Sequence, residues 1–303
     1  MSRRLSALNL VLRLVAKPRL RRTTDPLAAR RDFQVFSRLL LARGRGVRIE
    51  AEPRRAGLPE VTWAGPKGAA PEGVVLYFHG GGYIAGSPST HRGLIARLAQ
   101  ETRLSIAAPD YRLAPEHPLP AALEDAEAAW AGLRTRGYSP GQIVIGGDSA
   151  GGGLALSLVS RLCLAGSPPA GAFAFSPWTD LTGSGPSHQE NADRDPLLPA
   201  DRLRDLVGFA LGDLPPANPL ASPLFAAYPG CPPLLMQVSL SEILRDDTLR
   251  LAARLQAEGA PVTVENLPGA GGLLGVTQVV NAAPDGCTVV LSGDAALVMP
   301  DPN

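Results

Sequence analysis

Gly147-Asp148-Ser149-Ala150-Gly151 is the stretch of this chain best equipped for chemistry. The pattern G-x-S-x-G suits a serine held on a sharp turn from strand to helix, where side chains at the two outer positions would collide and glycine removes them. The context agrees. The apolar run Ile143-Val144-Ile145 leads in, and a helical pattern from Gly151 to Leu164 leads out. A helix that starts at Ser149 also aims unpaired N–H groups at an oxyanion forming on a bound carbonyl. Alone, a five-residue match in a glycine-rich chain is a weak signal.

A second motif lies upstream, where Val74-Val75-Leu76-Tyr77-Phe78 runs into His79-Gly80-Gly81-Gly82. Consecutive glycines after a buried strand leave backbone N–H groups bare and close to a ligand, as an oxyanion hole requires. The competing reading is a flexible turn, but a turn has little use for three glycines after a histidine. In this order the two motifs suit attack of a serine hydroxyl on an acyl carbonyl.

With these blocks the chain, from residue 1 to about 265, resembles the bacterial hormone-sensitive-lipase-like branch of the α/β-hydrolases. The resemblance rests on HGGGYIAGSPSTHR at 79–92, PDYRLAPEHPLPAALED at 109–125, GDSAGGGLA at 147–155, SPWTDLTGSGPS at 176–187, and SPLF with PPLLMQV within 222–238. It implies an α/β-hydrolase fold: a mostly parallel central sheet with helices on both faces and a helical cap. It further implies an esterase that splits short- to medium-chain acyl esters with Ser, Asp or Glu, and His, without metal or cofactor. The oxyanion hole then falls on Gly81, Gly82 and Ala150, and the substrate surface on His79, Gly80, Tyr83 and Asp148.

The acid of such a site follows the strand ending at Val238, in Ser239-Leu240-Ser241-Glu242-Ile243-Leu244-Arg245-Asp246-Asp247. By resemblance Glu242 takes that position, to orient a histidine and stabilise its imidazolium, with Asp246 in reserve. The alternative is a solvent-facing carboxylate at a helix N-terminus, which suits Asp246 and Asp247 better than Glu242. The histidine itself is missing. The family carries it in a Pro-Gly-x-x-His turn after the last strand, and here that turn reads Pro268-Gly269-Ala270-Gly271-Gly272. The four histidines, His79, His91, His117 and His188, all precede it, and each reads as structural or surface rather than as a general base.

The C-terminal segment accounts for the loss. Residues 262–299 are similar to a different family, the periplasmic solute-binding receptors of tripartite tricarboxylate transporters, through VENLPGAGG and the later APDG with its apolar run. Both families place a helix, a glycine turn and a V-x-V-E strand at the junction, here Leu249 to Gly259 and Val262 to Glu265. A crossover there keeps the last helix and strand of the hydrolase. Leu273, Val276, Val279, Val280 and Ala283 then fall at helical spacing and predict a covering helix.

The remaining elements must position the serine. Strand-like runs at 47–51, 61–64, 74–78, 104–108, 142–146, 171–175, 234–238 and 262–265 alternate, from 74 onward, with helical patterns at 91–101, 119–135 and 151–164, which argues for a parallel sheet covered on both faces. Residues 1–45 and 183–215 read as cap segments, 46–265 as the hydrolase core and 266–303 as an atypical tail. The first 22 residues form a basic amphipathic stretch for which a membrane-surface role competes with the cap. Its apolar run is broken by Arg13 and no small-residue cleavage site follows, so it does not read as a signal peptide and a cytoplasmic location is expected.

Composition bounds the rest. Three hundred and three residues with 45% apolar content can bury a full core, and a net charge of +1 gives no case for a nucleic-acid partner. Cys163, Cys231 and Cys287 are odd in number and unpaired in pattern, which reads as buried thiols rather than a disulfide or metal framework. A small-molecule ester is the expected partner, and the resemblance implies a homodimer through the sheet edge near the C-terminus.

Overall fold

The computed structural model describes residues 9–40, 47–66, 73–266, 288–291 and 295–298. Eight strands form one sheet: β1 (Val47–Glu52), β2 (Glu60–Pro66), β3 (Val74–Phe78), β4 (Ser105–Asp110), β5 (Ile143–Asp148), β6 (Gly171–Phe175), β7 (Leu234–Val238) and β8 (Val262–Asn266). Their spatial order is β1-β2-β4-β3-β5-β6-β7-β8. The β1/β2 and β2/β4 pairs are antiparallel, and every pair from β4 to β8 is parallel. The helices are α1 (Lys17–Arg22), α2 (Pro26–Leu40), α3 (Arg92–Thr102), α4 (Ala121–Thr135), α5 (Ser149–Leu164), α6 (Leu203–Leu211) and α7 (Arg245–Ala257). Thr288–Leu291 and Ala295–Val298 pair as a separate antiparallel ribbon. The helix expected at 273–283, and Cys287, lie outside the described residues.

The central strands are continuous apolar runs because both faces of the sheet are covered. Along each strand alternate side chains feed opposite cores. Leu76, Phe78, Ile143, Ile145, Ala172 and Met236 pack toward α4, α5 and α7. Val75, Tyr77, Val144, Phe173, Phe175 and Leu235 pack toward Leu94, Ile95 and Leu98 of α3. Helix α5 is apolar nearly all round, and accordingly every residue from Ala150 to Ser160 is buried.

Parallel register brings the functional loops to one edge. Phe78 pairs with Gly147, Asp148 with Phe175, and Phe175 with Gln237. The residues after β3, β5, β6 and β7 therefore emerge side by side at the carboxyl ends of the strands, the edge at which open α/β sheets form their ligand crevice.

Helices α2 and α6, from the two segments expected to form a cap, meet above that edge. Ala29 and Phe33 of α2 pack with Leu206 and Phe209 of α6 against Ile84, Ala85 and Ala114, and Arg30 donates to the Ile84 carbonyl at 2.6 Å and the Ala114 carbonyl at 2.7 Å. Below α6 in the chain, residues 179–191 are fastened to α7. Asp247 accepts from the Thr179 and Asp180 N–H groups at 2.9 and 2.8 Å and lies 3.0 Å from His188 Nε2. Asp246 accepts from the Ser187 N–H at 2.8 Å. Solvent-facing carboxylates are expected at these two positions, but both are buried. The reason is that α7 starts four residues earlier than its apolar pattern, and its first turn faces the 179–188 segment. Cys163 is buried and Cys231 half-buried, both as free thiols. Burial pushes them up, to about 11 and about 12.

Two outcomes are expected. Gly146 sits opposite Phe173 in register, and a Cβ at 146 would enter the Phe173 ring. Gly146→Ala should cost about 1–3 kcal/mol by overpacking, and Phe173→Leu in the same chain should recover part of that, giving a non-zero coupling in a urea-denaturation double-mutant cycle; additive losses would contradict the contact. Burial pulls the His188 pKa down, but its hydrogen bond to Asp247 outweighs this and the net shift is upward. A raised folded pKa means that this stabilisation is complete below the unfolded value near 6.5 and fades as pH rises through the folded value. The stability gap between the parent and His188→Gln should therefore narrow from pH 6 to pH 9, by no more than about 1.4 kcal/mol per unit.

Candidate active site

Ser149 stands at the junction of β5 and α5 with φ 53°, a left-handed conformation strained for a residue with a Cβ. The turn is possible because of the flanking glycines. A Cβ on Gly147 would strike the Gly151 carbonyl, and one on Gly151 would strike the Phe78 and His79 carbonyls. The elbow therefore packs directly on the backbone that leaves β3. Its C-terminal side is also fixed, since the Trp178 N–H donates to the Ser149 carbonyl at 2.9 Å. Ser149 is partly exposed while Ala150 is fully buried.

The glycine loop after β3 is shaped as tightly. Gly81 has φ 131° and Gly82 φ 63°, and a Cβ on Gly81 would strike the Ala85 carbonyl. The Gly81 carbonyl turns inward to accept from the Ile84 and Ala85 N–H groups at 3.2 and 3.0 Å. Asp148 ties this loop to the elbow. Its Oδ1 accepts from the Tyr77 hydroxyl at 2.6 Å and from the Gly80 N–H at 3.0 Å, and its Oδ2 lies 3.3 Å from His91 Nε2. Burial raises the Asp148 pKa, but His91 and the hydrogen bonds outweigh it and the net shift is downward. His91 moves upward, because Asp148 outweighs its own burial. Each partner thus favours the charged form of the other.

His79 and Tyr83 are 1% and 2% exposed, so their side chains stand behind the loop rather than on an open substrate surface. His79 stacks on Tyr111 with ring centres 4.2 Å apart, and the Tyr111 hydroxyl donates to the His79 carbonyl at 2.6 Å. Burial, reinforced by nearby His91, lowers the His79 pKa to about 3, so this imidazole is neutral at ordinary pH. Asp148 is instead partly exposed, while its carboxylate holds three internal partners.

Glu242 lies in the loop between β7 and α7, 3% exposed, with Oε1 accepting from the Ser239 N–H at 3.2 Å. Asp246 is instead committed to Ser187 and to Arg245 Nε at 2.8 Å each. Pattern reading missed the residues that hold the Glu242 loop. Asn191 Nδ2 donates to the Leu240 and Glu242 carbonyls at 3.0 and 2.8 Å, Asp195 Oδ2 accepts from the Ile243 N–H at 2.9 Å, and the Ser187 hydroxyl donates to the Ile243 carbonyl at 2.7 Å. A polar Ser, Asn and Asp at 187, 191 and 195, one helical turn apart, was the available signal.

Among the described residues the buried histidines are engaged away from Ser149. His79 is bonded to the Gly80 carbonyl, His91 to Asp148 and His188 to Asp247, while His117 is exposed. The turn at 268–272 lies outside the described residues.

Comparison with known proteins places this geometry. The profile of the alpha/beta hydrolase fold matches residues 75–271, and that of the tripartite tricarboxylate transporter family receptor matches residues 247–302. An acetyl-hydrolase of Streptomyces hygroscopicus is 43% identical over 196 residues, 64% of this chain and 66% of that protein. An esterase of Acinetobacter venetianus is 39% identical over 63% of each chain. This chain thus spans just under two thirds of the length of these curated relatives. Among solved structures, an esterase from the bacterial hormone-sensitive lipase family superposes with a TM-score of 0.82 at 35% identity, covering 94% of both chains. An esterase/lipase from an uncultured bacterium gives 0.84 at 31% identity, again over 94% of both. The chain belongs to the α/β-hydrolase family, in its bacterial hormone-sensitive-lipase-like branch.

Proposed function

We propose that this protein is a serine carboxylic ester hydrolase for short- to medium-chain acyl esters, with its turnover crippled by the lack of a histidine in the turn after β8. The observation that carries the reading is the interlocked elbow and glycine loop, built so closely that three glycines have no room for a Cβ. Ser149 is the nucleophile, Glu242 the acid, and the N–H groups of Gly81, Gly82 and Ala150 the oxyanion donors. Asp148 and His79 are positioning residues for the oxyanion loop. Residues 1–45 and 183–215 cap a core of 46–265. The names of the relatives, acetyl-hydrolase and esterase, support the reaction class.

The missing base has a definite chemical consequence. Without it the Ser149 hydroxyl remains a weak nucleophile and the leaving alcohol has no positioned acid. In a dismantled serine-protease triad, loss of serine or histidine costs about a million-fold in turnover, roughly 8 kcal/mol of barrier, while about a thousand-fold over water survives. A second reading, a folded relative that binds esters without turning them over, is favoured by the engagement of the three buried imidazoles elsewhere. A solute-binding role rests on the tail alone.

Two measurements test the proposal. On p-nitrophenyl butyrate the folded protein should show only trace hydrolysis, little changed by Ser149→Ala; turnover at ordinary enzyme rates that vanishes in Ser149→Ala would show a working base and overturn the crippled-triad reading. Gly271→His or Gly272→His should raise the rate at least about ten-fold if the turn lies where the family places it. Unchanged rates in folded variants of both would count against that placement.

A further inference from the structure

We propose that the outward face of the N-terminal helical segment docks the protein on the surface of an anionic lipid bilayer. This does not depend on the ester-hydrolase reading. The segment, helical from residue 9 and continuing through a π-helical turn at Leu12–Ala16 into α1, has two faces. Leu12 and Ala16 are 0% and 6% exposed and pack with Phe36 and Leu197. Arg13 donates to the Arg194 carbonyl at 2.7 Å, and Lys17 to the Ala192 and Asp195 carbonyls at 2.6 and 2.7 Å. The inner face is thus fully occupied, and the helix is fastened to the protein without help from the outer one.

The outer face carries Leu10, Val11, Leu14 and Val15, exposed by 57, 40, 67 and 56%. Spacings of one, four and five residues put all four on one side of a helix, so they form a patch rather than scattered contacts with water. Charge selects what covers it. The first 40 residues hold ten basic and two acidic side chains, although the whole chain is only +1, so the rest of the molecule is net acidic. Arg19, Arg21 and Arg31 keep half or more of their side-chain surface in water while pairing with Asp32, Asp201 and Asp25, and Arg22 is exposed beside them. A second copy meeting this face would oppose two basic segments, and a neutral surface would leave the surplus uncompensated. An anionic bilayer takes both the aliphatic patch and the arginines, which is the arrangement of an interfacial amphipathic helix. Among the described residues no helix is long and apolar enough to cross a membrane, so the contact is superficial.

The geometry adds an orientation. Asp195, whose carbonyl accepts from Lys17, also receives the Ile243 N–H in the Glu242 loop. A bilayer on the outer face therefore lies beside the cap, on the side of the sheet that carries Ser149.

The test is sedimentation of the full-length protein with vesicles of equal parts phosphatidylglycerol and phosphatidylcholine, against pure phosphatidylcholine, at low and high salt. Anionic vesicles should bind at least about ten-fold more tightly, with the difference shrinking at high salt. Leu14→Glu should weaken that binding by about ten-fold or more, while Leu164→Glu, an exposed leucine at the far end of α5, should leave it unchanged; circular dichroism checks that both are folded. Equal binding to the two vesicle types, or an unaffected Leu14→Glu, would overturn the proposal. So would a concentration-dependent dimer in light scattering that Leu14→Glu abolishes in a protein that ignores vesicles.

Discussion

The rest of the structure depends on how closely two backbones approach, the one leaving β3 and the one turning from β5 into α5. Gly151 lies against the Phe78 and His79 carbonyls with no room for a methyl group, and Asp148 reaches across to the Gly80 N–H and the Tyr77 hydroxyl. Packing at that distance forces the glycines. It also forces the left-handed Ser149, because only a sharp reversal lets α5 start beside β3 rather than beyond it. The strain at one residue is held by a helix buried from Ala150 to Ser160 and by a carboxylate with three partners.

That constraint explains which parts were legible in the sequence. Gly147, Gly151 and the run after His79 are local statements, since Gly80, Gly81, Gly147 and Gly151 each record a contact that a Cβ would violate and Gly82 a left-handed φ of 63°. The strands were equally plain, because Val74 to Phe78 and Ile143 to Ile145 are apolar without alternation, as burial on both faces demands. What stayed hidden are contacts between residues far apart in the chain. Asp148 reads as a variable position inside G-x-S-x-G, and only its approach to His91, 57 residues away, shows it as an internal ion-pair partner. Asp246 and Asp247 look like ordinary first-turn acids, and nothing near them announces Ser187 and His188 about 60 residues upstream. His79 could be assigned to the loop but not behind it, because burial belongs to the fold and not to the motif.

The Glu242 loop shows the same division at a finer scale. Its position after β7 follows from pattern, yet its shape is imposed by Asn191, Asp195 and Ser187 through four hydrogen bonds to main-chain atoms of 240–243. Backbone atoms are held rather than side chains, so the loop's form tolerates changes at Leu240 or Ser241 but not at the residues that clamp it. The N-terminal helix enters this arrangement through Lys17, which donates to carbonyls on the same 192–195 turn. The N-terminal helix, the 192–195 turn and the Glu242 loop are thus one hydrogen-bonded unit.

The two family matches overlap across residues 247–271, which covers most of α7 and all of β8. This overlap marks the one place where the two sequences make interchangeable demands. A helix, a tight turn at Gly259 with φ 81° and an edge strand serve equally at the end of a parallel sheet. β8 pairs with β7 over five residues, Leu234 with Val262 through Val238 with Asn266, so the eighth strand of the described sheet lies wholly within the hydrolase match. Folding requires the strand, whereas catalysis requires one imidazole in the turn that follows it. An exchange at this point separates the two requirements: the elbow, the glycine loop and the clamped Glu242 loop are all built from residues before 247. The elbow and the glycine loop are therefore assembled by the fold, through contacts among residues 77–151 that the strand order and register bring together.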